Sequence, residues 1–256
     1  MNVEKFISNF IRPVANNGRK SAVVFFPFAG AGAFSAYRFS PSIKDICDLF
    51  GVQLPGRENR AEENLVHQHE VIYKSIAQAI IDKYSDYQLV FWGHSLGAYI
   101  AFETLAYLEK HSKVRPLRLV LSGARAPQNL NKELQLHKLS DEELIARLKS
   151  YGGFPEHMDQ NLIGMFLPVV RADCFLLDTY FYDSAVKIST PIDVYAGKDD
   201  LAVPTRLIEN WQQTCSSNCS FQILPGDHFF IYQQSSGFMS AFTSKLKLLL
   251  ASTPGI

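Results

Sequence analysis

The pentapeptide GHSLG at residues 93–97 has the residue types of a nucleophile elbow, a sharp turn that holds a serine between a strand and a helix. The run Tyr87–Trp92 before it is strand-like, and the residues after it place apolar side chains at helical spacing. Flanking glycines remove side chains that would clash with a strained serine backbone, so the hydroxyl can stand exposed. The alternative is that Ser95 only caps the helix, but the complete context predicts a nucleophile.

A serine hydroxyl is a weak nucleophile unless a base removes its proton, and histidine is the most common base. Of the seven histidines, His228 follows the last strand-like run in a loop near the carboxyl terminus. This is the place that chain order gives to the histidine partner of an elbow serine. His94 is adjacent to Ser95, and adjacent side chains point apart, so His94 is a poor candidate. We therefore expect His228 to be the base and the other histidines to be structural or solvated.

An acid that orients this histidine should end the preceding strand, which gives the chain order Ser, Asp, His. The run Pro191–Ala196 leads into GKDD at residues 197–200, followed by LAVP. Asp200 fits the hydrolase pattern Gly-x-x-Asp, then x-x-Val-Pro, better than Asp199 does. Asp227 is a third candidate, but it neighbours the histidine that it would orient. We expect Asp200 to fix the imidazole tautomer and to stabilise the imidazolium.

The segment PFAGAG at residues 27–32, called the oxyanion loop below, follows the first clear strand. Its GxG spacing is shared with dinucleotide-binding loops, but Ser35 replaces the third glycine of that motif and no acid ends the second strand. We therefore predict that the backbone N–H groups of Ala29 and Leu96 bind the oxyanion of a tetrahedral intermediate. The alternative is an ordinary strand-to-helix turn. No cofactor is predicted.

Strand-like and helical patterns alternate along the chain, which is typical of a parallel sheet covered by helices. We expect the α/β class and an α/β-hydrolase fold, with one domain over residues 1–256. The predicted strands are Ser21–Phe26, Gly51–Leu54, Tyr87–Trp92, Leu117–Leu121, Pro191–Ala196 and Ser220–Leu224. The predicted helices are Val66–Tyr84, Leu96–Glu109 and Phe238–Leu250.

One stretch, residues 131–182, contains no strand-like run and shows only helical patterning, with a capping box at SDEE, residues 140–143. It is too long for an ordinary crossover between strands. We interpret it as a lid over the active site, and helices packed on the sheet edge without a gating role are the alternative. Some of its apolar side chains suggest either a substrate chamber or plain core: Phe154, Met165, Phe166 and Phe175.

Composition limits the possible partners and locations. The chain has 25 Lys plus Arg and 25 Asp plus Glu, and this balance argues against nucleic acid or an anionic membrane as partner. No apolar stretch is long enough to span a bilayer and the N-terminus does not resemble a signal peptide, so we expect a cytoplasmic location. We also expect a monomer. The four cysteines are interpreted as packing residues rather than zinc ligands, and no metal site is predicted: Cys47, Cys174, Cys215 and Cys219.

With these residues assembled, the chain resembles the type II thioesterases, stand-alone proteins that serve polyketide and non-ribosomal peptide synthetases and are related to medium-chain fatty-acyl thioesterases. The resemblance runs from about residue 25 to about residue 249. It is carried by FPFAGAG (26–32), QLPGRENR (53–60), FWGHSLGA (91–98), SGARAP (122–127) and GDHFF (226–230). LPGR together with SGARAP is the most specific part, because the elbow alone indicates only a hydrolase.

The resemblance implies the same site residues as the motifs do, namely Ser95, His228 and Asp200, with the N–H groups of Ala29 and Leu96 as the oxyanion hole. It also implies a helical lid and hydrolysis of acyl thioesters on the phosphopantetheine arm of an acyl or peptidyl carrier protein. The implied role is to clear stalled or misprimed acyl groups from synthetase modules. Two departures from the family pattern are mild: Asn59, where glycine or aspartate is more common, and Asp227, where a second glycine is frequent.

Other interpretations remain open at this point. A carboxylesterase or lipase-like serine hydrolase is the main one, since oxygen and sulfur esters pass through similar intermediates. A terminal cyclising domain cut from a synthetase fits less well, because the chain starts with Met1 and shows no carrier-domain remnant. A non-catalytic binding module usually lacks a triad member, whereas all three are present here. Arg57 and Arg60 form either a surface turn or part of the active-site rim that meets the substrate arm or a carrier-protein acid.

Overall fold

One sheet organises the computed structural model, which describes residues 9–130, 135–154 and 157–252. Its strands in these ranges are β1 (Ile11–Ala15), β2 (Ser21–Phe26), β3 (Asp48–Val52), β4 (Gln88–His94), β5 (Arg118–Ser122), β6 (Ile192–Gly197) and β7 (Cys219–Leu224). Their spatial order is β1-β3-β2-β4-β5-β6-β7. β2 to β7 are parallel, and β1 pairs antiparallel with β3. The predicted α/β fold with a mostly parallel sheet is confirmed.

The helices in the described ranges are α1 (Ser40–Ile43), α2 (His69–Tyr84), α3 (Leu96–His111), α4 (Asp141–Ser150), α5 (Gln160–Thr179) and α6 (Phe238–Ser252). Successive side chains of a strand point to opposite faces of the sheet. Val24 and Phe26 of β2 belong to the apolar cluster that includes α2 and α3. Val23 and Phe25 belong to the cluster on the other face, which includes α6. Because both faces are covered, the strands appear in the sequence as unbroken apolar runs.

Two strands depart from the sequence prediction. The pattern misses β1, whose proline removes an N–H donor and is tolerated because β1 lies at the sheet edge. It also places β3 at Gly51–Leu54, several residues too late. β3 begins at Asp48, a residue type that is rare in strands. Here its buried carboxylate accepts the backbone N–H groups of Asn17 at 2.8 Å and Arg19 at 3.0 Å, which compensates for its burial.

The segment between β5 and β6 is helical, with α4, α5 and two short 3₁₀ turns, and its described residues form no named strand. A capping box starts α4: the Ser140 hydroxyl accepts the Glu143 N–H at 3.2 Å, and the Glu143 carboxylate accepts the Ser140 N–H at 3.0 Å. Residues 135–154 and 157–182 are called the helical insertion below. Residues 131–134, the start of the predicted lid, lie outside the described ranges.

The helical insertion has an apolar cluster of its own, distinct from the two clusters on the faces of the sheet. Its buried members are Leu136, Leu144, Ile163, Leu167, Val170 and Cys174. Side chains of the turns beside α4, such as Phe154 and Met158, pack against this cluster. The insertion therefore has a small core that is separate from the packing of the sheet.

Two further properties concern residues 9–130, 135–154 and 157–252. None of the helices there is long and apolar enough to cross a membrane. The same residues contain no group of three His, Cys, Asp or Glu side chains arranged to hold a metal ion. All four cysteines carry free thiols, and three of them are buried.

Candidate active site

Ser95 lies on the turn between β4 and α3 with φ 55° and ψ −119°, a conformation that L residues rarely adopt. The strain, on the order of 1–3 kcal/mol, is of the kind that occurs at functional sites. A Cβ on Gly97 would lie 2.0 Å from the carbonyl oxygen of Phe26, and one on Gly93 would lie 2.4 Å from that of Gly97. Both glycines of the pentapeptide are therefore required by close backbone packing around the turn.

The structure brings the three predicted side chains together. His228 Nε2 lies 3.0 Å from Ser95 Oγ, and His228 Nδ1 lies 2.8 Å from Asp200 Oδ2. Because the carboxylate can only accept, Nδ1 carries the proton in this arrangement and Nε2 is left to accept from the serine hydroxyl. The three residues follow the carboxyl ends of β4, β6 and β7, the edge at which open α/β sheets bind ligands.

The two competing aspartates occupy other positions. Asp199 is exposed, one residue before the buried Asp200. Asp227 Oδ1 accepts the backbone N–H of Phe229 at 2.8 Å and the amide of Gln233 at 2.9 Å, so it shapes the loop that carries His228 (residues 225–230, the histidine loop). Asp200 Oδ1 accepts two backbone N–H groups, those of residues 202 and 203, which fix the carboxylate while Oδ2 faces the imidazole. The geometry favours Asp200 over both rivals.

The oxyanion loop lies beside the serine. Ala29 lines the same cavity as Ser95, and Leu96 is the first residue of α3, where a helix leaves its N–H groups without intrahelical acceptors. In the described part of the chain, neither N–H group has a hydrogen-bond acceptor. Gly30 adopts φ 83°, a left-handed conformation that turns the loop away from β2. Two N–H groups are thus free to donate near the serine hydroxyl.

A cavity of about 360 Å³ opens above Ser95 and His228, and its walls are mostly apolar. Of the insertion residues that the sequence suggested, Phe154 and Phe166 line it. Met165 does not line it, and its side chain is 75% exposed. Phe175 packs instead against the rings of two histidines outside the cavity, 67 and 137. The sequence also missed several lining residues, among them Leu136, Leu148, Tyr151, Met158, Val170 and Leu177.

Both alternatives for Arg57 and Arg60 are wrong, since both side chains are buried and neither lines the cavity. Arg57 makes a two-pronged ion pair with Asp173 of α5. Arg60 bonds the Glu63 carboxylate at 2.9 and 2.7 Å, and donates to a backbone carbonyl at 2.9 Å. The sequence around Arg57 did not indicate that its side chain is buried, because its partner Asp173 lies 116 residues further along the chain.

His94 lies directly behind the triad and is fully buried. Its Nδ1 is 2.9 Å from the Ser122 hydroxyl, and its ring centroid is 5.2 Å from that of His228. Burial, and secondarily the charge on His228, lowers the pKa of His94 well below its usual 6.5. His94 is therefore a neutral packing residue, and it makes no contact with the serine hydroxyl that would suit a base.

The chain matches a protein-family model described as "Thioesterase domain" over residues 21–246. It is 32% identical to the gramicidin S biosynthesis protein GrsT of Aneurinibacillus migulanus, over 94% of this chain and 95% of that protein. It is 30% identical to the medium-chain S-acyl fatty acid synthase thioesterase of Rattus norvegicus, over 87% of this chain and 86% of that protein.

A solved structure agrees with these two relatives. YbtT, a type II thioesterase from the yersiniabactin NRPS/PKS biosynthetic pathway, superposes with a TM-score of 0.81 at 30% identity, over 94% of this chain and 99% of that one. The family model covers far more than half of the chain, and the relatives align with it nearly end to end. This protein therefore belongs to the thioesterase family, and it is a thioester hydrolase with the α/β-hydrolase fold.

Proposed function

We propose that this enzyme is a type II thioesterase that removes acyl groups from the phosphopantetheine arm of acyl or peptidyl carrier proteins. Its role would be to clear stalled or misprimed groups from polyketide or non-ribosomal peptide synthetases. One observation carries the proposal: an intact Ser-His-Asp arrangement in a chain that aligns over 94% of its length with GrsT, a gramicidin S biosynthesis protein. The similarity to YbtT, a type II thioesterase of an NRPS/PKS pathway, supports the same assignment.

In this proposal Ser95 is the nucleophile, His228 the base and Asp200 the residue that orients it. Ser95 Oγ attacks the thioester carbonyl carbon as His228 Nε2 takes the hydroxyl proton. The N–H groups of Ala29 and Leu96 donate to the resulting oxyanion, and each such donor contributes about 3 kcal/mol in comparable enzymes. The carbon–sulfur bond then breaks, and the thiol departs with the proton from His228.

Deacylation repeats the same steps with water. His228 takes a proton from water, the hydroxide attacks the acyl-serine ester, and the Ser95 oxygen leaves with that proton as the free acid forms. Asp200 stabilises the imidazolium in both halves of the reaction. No step requires a metal or a cofactor.

The mostly apolar walls of the cavity favour an apolar acyl chain as the bound group. Its walls come from the oxyanion loop, the histidine loop and the helical insertion, so an acyl chain on Ser95 would lie between the sheet edge and the insertion. We propose that the insertion, together with residues 131–134 and 155–156, is a lid belonging to the single domain of residues 1–256. Helices with no gating role are the alternative, and their substitution would leave acyl-chain preference unchanged.

The test compares wild-type protein with Ser95→Ala on a carrier-protein thioester and on an oxygen ester of the same acyl group. Faster turnover of the carrier thioester, abolished by the substitution, supports the proposal. Preference for the free oxygen ester would instead indicate a carboxylesterase. Failure of a fluorophosphonate to label Ser95 would indicate a binding module. The expected monomer and cytoplasmic location are tested by size-exclusion chromatography and cell fractionation.

A further inference from the structure

A buried ion pair connects the helical insertion to the oxyanion loop. Arg57 Nη1 lies 2.5 Å from Asp173 Oδ2, and Arg57 Nη2 lies 2.8 Å from Asp173 Oδ1. Both side chains are almost inaccessible, at 7% and 1% exposure. Arg57 follows β3 and Asp173 lies in α5, so the pair joins two segments distant in sequence.

The Asp173 carboxylate has a second partner, in the oxyanion loop itself. Its Oδ2 accepts the backbone N–H of Gly30 at 2.7 Å. Arg57 Nη1 in turn donates to the carbonyl of Ala31 at 3.2 Å. The two charges therefore bind one N–H and one carbonyl of adjacent residues, directly after Ala29.

Two further features hold the same loop in place. A Cβ on Gly30 would lie 2.5 Å from Val170 Cγ2, so α5 packs against the loop with no space for a side chain. Beyond the loop, Gln53 Oε1 accepts the N–H of Ala33 at 2.7 Å. Gln53 also donates to the backbone carbonyl of Arg57 at 2.9 Å. The segment after β3 thus binds the chain at Ala31, within the loop, and at Ala33, just beyond it.

We infer that Arg57 and Asp173 are positioning residues for catalysis, which hold the N–H of Ala29 where the oxyanion forms and make that placement depend on α5. The inference rests on Ser95 acting as the nucleophile and does not depend on the identity of the acyl donor. Stability alone is a weak reason for such a pair, because apolar residues of similar volume often replace a buried ion pair at no cost. A donor must instead lie within a few tenths of an ångström of its place to stabilise a developing charge.

Two double variants separate positioning from folding. Arg57→Met with Asp173→Leu removes both charges and leaves Gly30 N–H without its acceptor, while an apolar pair keeps the site filled. The second double variant, Arg57→Met with Asp173→Asn, has nearly the same shape as the first, but its amide oxygen can accept the N–H of Gly30. The two variants differ at one side chain, where Asn offers Gly30 N–H an acceptor and Leu does not, so activity recovered with Asn reports the hydrogen bond to the loop.

The first variant should lose roughly ten- to a hundredfold in kcat with little change in KM, and the second should recover part of that loss. A trifluoromethyl ketone that forms an oxyanion adduct with Ser95 should bind the first variant at least about tenfold more weakly. The matching carboxylic acid product should bind it as it binds wild type. The matched control is Asp193→Asn, which should keep wild-type kcat. It also removes a buried carboxylate, but Asp193 lies near the start of β6, where it accepts a hydrogen bond from Ser220 of β7.

The inference would be overturned if the folded first variant kept wild-type kcat and ketone affinity. It would also be overturned if both double variants lost activity equally, or if the ketone and the product acid weakened together, since these results indicate a general collapse of the chamber. A wild-type protein that neither binds the ketone nor reacts at Ser95 would overturn the proposed nucleophile, and that failure is distinguishable because it does not involve the variants.

Discussion

The carboxyl edge of the sheet and the helical insertion line the same chamber, but they are built in different ways. At the sheet edge, the backbone around Ser95 is packed so closely that Gly93 and Gly97 admit no side chain. The insertion has its own small apolar cluster and leaves Met165 and Phe166 partly exposed, at 75% and 42%. The comparison suggests a division of labour in which the rigid edge carries the chemistry and the insertion carries acyl-chain preference.

Replacement of the nucleophile is the strongest test of this division. Ser95→Ala should lower kcat by roughly 10⁴-fold or more, because the triad acts as a unit and little else activates water. The chamber walls are untouched, so affinity for free fatty acids of different length should keep the wild-type order. Steady-state kinetics and calorimetric titration with product acids measure the two effects. A changed order of affinities would show that the sheet edge also sets chain preference.

The acid of the triad offers a matched pair of adjacent substitutions. Asp200→Asn should lower kcat by about 10⁴-fold, because an amide favours the wrong imidazole tautomer while leaving the shape of the site unchanged. Asp199→Asn changes an exposed residue one position away and should leave kcat within about twofold of wild type. Equal losses in the two variants would mean that the assignment of the acid is wrong.

The insertion should respond in the opposite way. Phe154→Ala removes a chamber wall, so the ratio of kcat/KM for long over short acyl chains should rise by roughly tenfold, the effect expected for one or two methylene contacts. Labelling of Ser95 by a fluorophosphonate should keep its wild-type rate. Met165→Ala is the control, because that side chain belongs to the same insertion but does not line the chamber. An unchanged ratio of kcat/KM in Phe154→Ala would show that the insertion does not determine acyl-chain preference.

The same contrast explains what the sequence could and could not predict. The triad was predictable because each member lies at a strand end inside a short local pattern. The support of the oxyanion loop was not, because Gly30 and Arg57 meet Asp173 across 143 and 116 residues of chain. In the insertion, the capping box predicted the start of α4, and helical patterning predicted a helical segment without the bounds of α5. Periodicity alone cannot tell a chamber wall such as Phe166 from its exposed neighbour Met165.

The smallest expected effect is on the pH dependence of the free energy of unfolding. It comes from His94, which is buried behind the triad in its neutral form. Burial lowers the pKa of His94 well below 6.5, so below pH 6.5 the unfolded chain binds a proton that the folded protein excludes. The free energy of unfolding should therefore fall as pH decreases below 6.5. His94→Gln removes this proton-binding site. It should reduce the slope of the free energy of unfolding against pH by up to about 1.4 kcal/mol per pH unit.

Urea denaturation between pH 5 and pH 8 measures this slope, and only the slope is compared, since Gln in a buried site also changes stability at every pH. His111→Gln, at the exposed histidine that ends α3, is the matched control and should keep the wild-type slope. If both variants kept it, His94 would have to bind its proton in the folded state. A charged imidazolium would then lie 5.2 Å from the ring of His228. The sheet edge would have to adjust to this buried charge, and its structure would then be less rigid than the close packing around Ser95 implies.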